Sequence, residues 1–353
     1  LKQGEKIPPY IVGLLNDENC LKHAYNAAFE WFCLNQAGYK TNISQWRCTM
    51  MHATYLGLPA GLSMTGNAIG IADDKKKLTT GNRLIQFFSV PCKPTKANGG
   101  RTWNDPHHDL DKWKLYCEYN IQDVEAEYTI YQHLKAFGVP AKEQKLWEMD
   151  ILMNAKGVKI DKTLVDSVLK IDAESTEKLT EEAVKITELE NPNSISQLKT
   201  WVESQLDEDL PGLTKDVISD LLARDSLPLK VKRVLEIRQQ LGKTSVSKYS
   251  AMENAMCKDE RVRGLLQFYG ANRTGRWAGR LVQVQNLPRN YISTLDTARE
   301  LAKLGNFEGL KILYNNVPDT LSQLVRTAFR TSKDKFIISD FSAPFLEVSF
   351  SCQ

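Results

Sequence analysis

No apolar run in this sequence approaches the roughly 20 residues needed to cross a bilayer, and the chain holds no internal repeat and no low-complexity segment. A membrane-spanning helix and a repeat array are thereby excluded. Cysteines at metal-binding spacing are also missing. Cys20, Cys33, Cys48, Cys92, Cys117, Cys257 and Cys352 are odd in number and scattered, with no CxxC. They read as reduced thiols in a cytosol-like compartment, and a cytoplasmic location is expected. His107 and His108 are adjacent, but no Cys or second His lies at zinc-finger spacing from them, so the pair reads as a loop feature. The opening LKQGEKIPPY is polar and lacks an initiator Met, so no signal peptide is read and the chain is expected to be cut from something longer.

A large net charge is lacking too. The 353 residues carry +3 overall, with 25% charged and 42% apolar residues, an ordinary globular composition long enough for two or three domains. The distribution is uneven, however. Thirteen Lys or Arg between Lys230 and Arg289 face only Glu236, Glu253, Asp259 and Glu260, a local balance of +9 that leaves −6 for the rest. Positive charge concentrated in one segment marks a surface for a polyanion.

Within that segment, RGLLQFYGANRTGRWAGRLVQVQNLPR from Arg263 to Arg289 sets five arginines among Gly270, Gly275 and Gly279, followed by Gln283, Gln285 and Asn286. Glycines let a backbone approach a polyanion closely, and amides read groove edges by hydrogen bonding.

Residues 1 to about 137 read as alternating short strands and helices. An extended run from Cys20 to Tyr25 leads to a helix capped by Asn26 with Ala28, Phe29 and Phe32 on its apolar face. A second helical run holds Met50, Met51, Tyr55 and Leu56 until Gly57 and Pro59. After a loop from Asn98 to Pro106, a long amphipathic helix presents Trp113, Tyr116, Tyr119, Val124, Tyr128, Tyr131 and Leu134. Glu143 to Asp161 reads as a connector, with Asp161 capping the next helix. Helices follow with Leu164, Val168 and Ile171, then Leu198 and Val202 behind a Ser194/Gln197 capping box, then Val217 and Leu221 behind Thr214, then Val234 and Ile237 from about Leu229.

Three groups carry possible chemistry. Tyr119 and Asp123 stand at i and i+4 on one helix face, and Asn26, Phe29 and Glu30 at i, i+3 and i+4 on another. A two-metal nuclease needs such carboxylates from separate elements to hold its ions about 3.5 to 4 Å apart. Asp340 ends the apolar run Phe336, Ile337, Ile338, which reads as a buried strand.

Together these stretches resemble the family A DNA polymerases of phage or prophage type, over residues from about 10 to 343. Thr274-Gly275-Arg276 followed by Gln285-Asn286-Leu287-Pro288 is similar to that family's Thr-Gly-Arg region. Glu30, with Tyr119 and Asp123, resembles the second and third motifs of the attached proofreading 3′-5′ exonuclease, and ISDFSA around Asp340 resembles the first palm motif. The resemblance implies an α/β exonuclease (ribonuclease H-like) domain over residues 1–137 and a connector over 138–160. A mostly helical thumb over 161–262 follows, and then, over 263–353, the first part of an α+β palm. It implies template-directed DNA synthesis on primer-template DNA with deoxynucleoside triphosphates, by a monomer using Mg2+ at two-metal sites. Metal ligands would be Asp340 and the Phe341 carbonyl at one site and Glu30 and Asp123 at the other, with Tyr119 positioning the attacking water. Arg273, Thr274, Arg276, Gln283, Gln285 and Asn286 would contact DNA, with the thumb lysines Lys243 and Lys248 on phosphates.

Two departures bear on activity. Glu30 stands where the exonuclease has Asp, and no Asp-x-Glu precedes Asn26. After Ala343 come Pro344 and Phe345 instead of Ile-Glu, and the fingers helix and the later His-Asp-Glu motif are absent. Both sites therefore read as incomplete. The chain is expected to be a fragment of a polymerase, truncated after its first palm motif and inactive by itself, and the rival reading is a DNA-binding remnant without catalysis. A free-standing exonuclease would leave Gly264 to Arg289 without a purpose.

Overall fold

The structure is a computed structural model and describes residues 6–71, 81–242, 246–271 and 274–331. In chain order it begins with α1 (Pro9–Asn16), β1 (Lys22–Ala24), α2 (Ala27–Gln36), β2 (Trp46–Cys48), α3 (Thr49–Tyr55) and α4 (Leu62–Ala68). Next come α5 (Gly81–Ser89), α6 (Leu110–Leu134), α7 (Ala141–Lys156), β3 (Val158–Ile160), α8 (Lys162–Thr187), α9 (Ile195–Leu206) and α10 (Lys215–Leu222). The chain continues through α11 (Leu229–Leu241), α12 (Ser247–Ala255), β4 (Arg261–Val262), β5 (Leu266–Ala271) and β6 (Arg276–Gly279). It closes with α13 (Leu295–Lys303), α14 (Phe307–Leu313), α15 (Val317–Leu324) and β7 (Phe329–Arg330). Among the described residues no helix is long and apolar enough to cross a membrane.

These elements divide into two compact units. The first takes residues 1–156 and also 266–280, so β5 and β6 are grouped with it although they lie far along the chain. One of its two described sheets is a parallel pair, Lys22 opposite Trp46 and Ala24 opposite Cys48, joined through α2 as a crossover. Ile43, Trp46, Met51, Trp147, Ile151 and Phe268 form one of its cores. The stretch expected to be a connector is instead largely α7, a 16-residue helix that supplies Trp147 and Ile151 to that core. On α2 Ala27 is buried and Ala28, Trp31 and Leu34 pack against the core, while Phe29 is 63% exposed, so of the apolar face read from the sequence Ala28 turns inward and Phe29 does not.

The second unit takes residues 157–265 and 281–353. Gly157, with φ +65°, leads into β3, the centre of an antiparallel sheet in the order β4-β3-β7. A Cβ on Gly157 would lie 2.7 Å from the Val262 carbonyl oxygen, so only glycine permits that approach. Asp161 caps α8 by accepting from the Leu164 amide at 3.2 Å, as its place before the apolar run predicts. Leu164, Val165 and Val168 on α8 are fully buried. A separate core gathers Leu198, Val202, Leu221, Val231, Val234 and Leu235 from α9, α10 and α11. Ser194 stands at the start of α9 but makes no side-chain cap; Gln197 accepts from the Asn191 amide instead, so the predicted capping box is not formed.

Candidate nucleic-acid interface

The Thr-Gly-Arg triplet begins in the turn of the β5/β6 hairpin. Leu266 pairs with Gly279, Gln267 with Ala278 and Ala271 with Arg276, with a register shift between Gln267 and Ala271. At the turn the amides of Thr274 and Gly275 both donate to the Ala271 carbonyl at 3.0 Å. Gly275 has φ +64°, and a Cβ there would meet the Tyr269 ring at 2.9 Å; both conditions require glycine. Thr274 and Arg276 are exposed, and so is Arg280. Arg280 donates to the Gln267 side chain. Arg273 lies outside the described residues.

The hairpin is held by α7 through polar contacts that no local sequence signal announces. Asn154 accepts from the Leu266 amide at 3.1 Å and donates to the Leu266 carbonyl at 2.9 Å, acting as a substitute strand neighbour. Asp150, 3% exposed, accepts from the Trp277 indole at 2.7 Å and from Asn154 at 3.2 Å. Burial raises the Asp150 pKa above the usual carboxylate range, and the donors from Trp277, Phe268 and Asn154 oppose this only in part. Between its ordinary and its raised pKa the unfolded chain has released the Asp150 proton while the folded chain still holds it. Stability of this unit is therefore expected to fall as pH rises through that interval. Denaturant unfolding at a series of pH values checks this, and Asp150→Asn is expected to flatten that part of the profile.

The other candidate DNA contacts belong to the second unit. Gln283 takes a left-handed conformation, φ 54°, and starts a 3-10 turn through Asn286, whose side-chain amide donates to the Gln283 side chain at 3.3 Å. Arg326 fixes the following segment by donating to the carbonyls of Leu287 and Pro288 at 3.0 and 2.8 Å. Gln283, Gln285 and Asn286 are all exposed. Lys248 is half-buried on α12, and Lys243 lies outside the described residues. Charge counting overstated this unit's free cations. Arg263 makes a bidentate pair with Asp259 at 2.9 and 2.6 Å, which holds the Asp259 carboxyl down to about 2, and Arg233 is paired with Glu182 at 2.6 and 2.7 Å.

The carboxylates of the expected nuclease site lie on α2 and α6. Glu30 is half-buried, and its Oε2 is buried without a hydrogen-bond partner. Burial raises its pKa, and the nearby Glu127 raises it further. Glu127 was missed in the sequence, though its signal was there: it stands one helical turn beyond Asp123 on the same face of α6. Its carboxylate accepts from the Thr49 hydroxyl at 2.5 Å, and burial raises its pKa as well. Asp123 is half-buried, and Tyr119 is buried with its ring tight against Gly81, where a Cβ would meet it. Among the described residues these carboxylates do not converge into a three-ligand group; the only such group is Asp105, His107 and His108. There His108 Nδ1 accepts from the Asp105 amide at 2.8 Å, so this imidazole closes a helical turn. Asp340 and Phe341 lie outside the described residues.

The described residues thus include an exposed Thr-Gly-Arg turn in the first unit, an amide-rich loop in the second, and half-buried carboxylates on α2 and α6 of the first. No protein-family model matches the chain. It is 49% identical over 345 residues to the DNA polymerase of Bacillus phage SP02. The match takes in 97% of this chain and 53% of the phage protein, so the chain spans about half the length of that relative. Among solved structures it is similar to the POL domain of Pol1 from M. smegmatis, in complex with DNA primer-template and dNTP. That likeness has a TM-score of 0.49 and 14% identity over 82% of this chain and 46% of the other.

Proposed function

We propose that this chain forms part of a family A DNA polymerase and grips primer-template DNA through the β5/β6 hairpin, the Gln283 to Asn286 loop and the cations of the helical second unit. The observation that carries the reading is the 49% identity to a phage DNA polymerase, a similarity that runs through the hairpin and the loop alike. The family A assignment rests on the Thr274-Gly275-Arg276 and Gln285-Asn286-Leu287-Pro288 pattern. The first unit would be the exonuclease-like portion, with an α/β core of ribonuclease H type, and the second the thumb with the opening of the palm.

The geometry supports a division of labour. Exposed Arg276 and the exposed amides of Gln283, Gln285 and Asn286 offer hydrogen-bond donors and acceptors to base edges or sugars. The remaining cations of the basic segment act on phosphates. In a complete polymerase Mg2+ would supply charge neutralisation at Asp340 and the Phe341 carbonyl. In the first unit Glu30 and Asp123 belong to no three-ligand group among the described residues.

A salt titration of binding to a labelled primer-template tests the proposal. Each neutralised phosphate contributes about −0.9 to the slope of log affinity against log salt. A slope equivalent to several phosphates is expected, and Lys248→Ala is expected to make it shallower by about one unit. Affinity independent of salt would defeat the reading.

A further inference from the structure

We propose that a cavity in the first unit, lined by β1, β2, α3, α6 and α7, binds a phosphate-bearing nucleotide, either free or as the end of a DNA strand. The cavity measures about 560 Å3, within the range of small-ligand sites. It does not involve the hairpin, and the inference holds or fails independently of whether that hairpin binds DNA.

Its walls are mostly cationic. Arg47 comes from β2, Lys135 from just beyond α6 and Lys145 from α7, against a single carboxylate, Glu148 of α7. That carboxylate already accepts from Gln144 at 2.8 Å. Arg47 is held in place: its Nη1 donates to the carbonyls of Ser44 and Trp46 at 2.7 and 2.9 Å, which leaves Nε and Nη2 as donors. A guanidinium fixed by backbone carbonyls, with further donors to offer and two lysines lining the same cavity, is suited to a phosphate.

An aromatic surface stands on the same walls. His23 of β1 packs against Tyr131 of α6 with ring centroids 4.5 Å apart, and both line the cavity. Such rings offer a face to a nucleobase, as aromatic side chains do in nucleic-acid sites. His52 of α3 completes the polar lining; its Nε2 lies 2.6 Å from the Phe137 carbonyl oxygen, so that nitrogen carries the proton and donates. His23 has its pKa lowered by burial first, then by Arg47 and His52. A bound phosphate would counter the Arg47 charge and make it easier to protonate His23.

Deoxycytidine 5′-monophosphate serves as the probe, followed by calorimetry and by the NMR titration of the His23 imidazole. The nucleotide is expected to bind and to raise the His23 pKa, whereas deoxycytidine without phosphate is expected to do neither. Lys135 and Lys145 are exposed, so Lys135→Ala/Lys145→Ala is expected to fold normally while binding about tenfold more weakly, and Lys135→Arg/Lys145→Arg to restore binding. A 5′-phosphorylated oligonucleotide that displaces the mononucleotide assigns the site to a strand end; one that does not assigns it to free nucleotide. The proposal is overturned if deoxycytidine binds as well as its monophosphate, if inorganic phosphate binds as tightly as the nucleotide, or if the double alanine variant binds as the parent does.

Discussion

Arg276→Ala is expected to reduce the preference for a primer-template junction over blunt duplex by about 1 to 3 kcal/mol, the worth of a well-made contact to base edges. The side chain is exposed on β6, so its removal leaves the fold intact and the effect falls on recognition. Lys248→Ala should behave differently, weakening binding to every duplex alike. Competition binding with both substrates at fixed salt separates the two. If Arg276→Ala loses affinity equally for junction and blunt duplex, the arginine contacts phosphate and its assignment to base edges is wrong. Gly275 makes the placement possible, because its positive φ closes the turn that leads directly into the arginine.

Leu235→Ala is expected to cost about 2 to 5 kcal/mol of stability in the second unit, measured by denaturant unfolding. Leu235 is fully buried on α11 and packs with residues of α9 and α10, so truncation leaves a cavity among side chains that can close around it only in part. The loss is a large share of what a domain of this size has in reserve. Leu229→Ala, 83% exposed at the start of the same helix, is the control and should change stability little.

Helices α8 to α11 of the second unit were legible because their apolar positions repeat at helical spacing and two of their starts carry side-chain caps: Asp161 and Thr214 both cap as read. Faces were less legible where aromatic residues abound. Phe29, Val124 and Tyr128 were assigned inward and are exposed, while small Ala27 and Ala126 take the buried places. Periodicity weighs hydrophobicity, but close helix packing also selects for small size. The hairpin's support was not legible at all. Asp150 and Asn154 meet Trp277 and Leu266 across 127 and 112 residues, and no local pattern marks a polar residue on one helix as the partner of a distant strand. Arg263 and Arg233 show the same limit for charge: a cation counted in sequence is not yet a cation offered to a ligand.

The hairpin's long-range attachment also orders events during synthesis. A ribosome delivers residues 1–156 first, but the first unit's compact set includes residues 266–280, which emerge only after 157–265 have been made. Until then the α7 side chains Asp150 and Asn154 lack their strand partners, and Phe268 is missing from the core that α7 shares. Closing so large a loop brings an entropic penalty that grows only slowly with length, yet it delays the contact itself. The nascent first unit would thus wait, partly finished, while the helical unit is delivered between its two pieces.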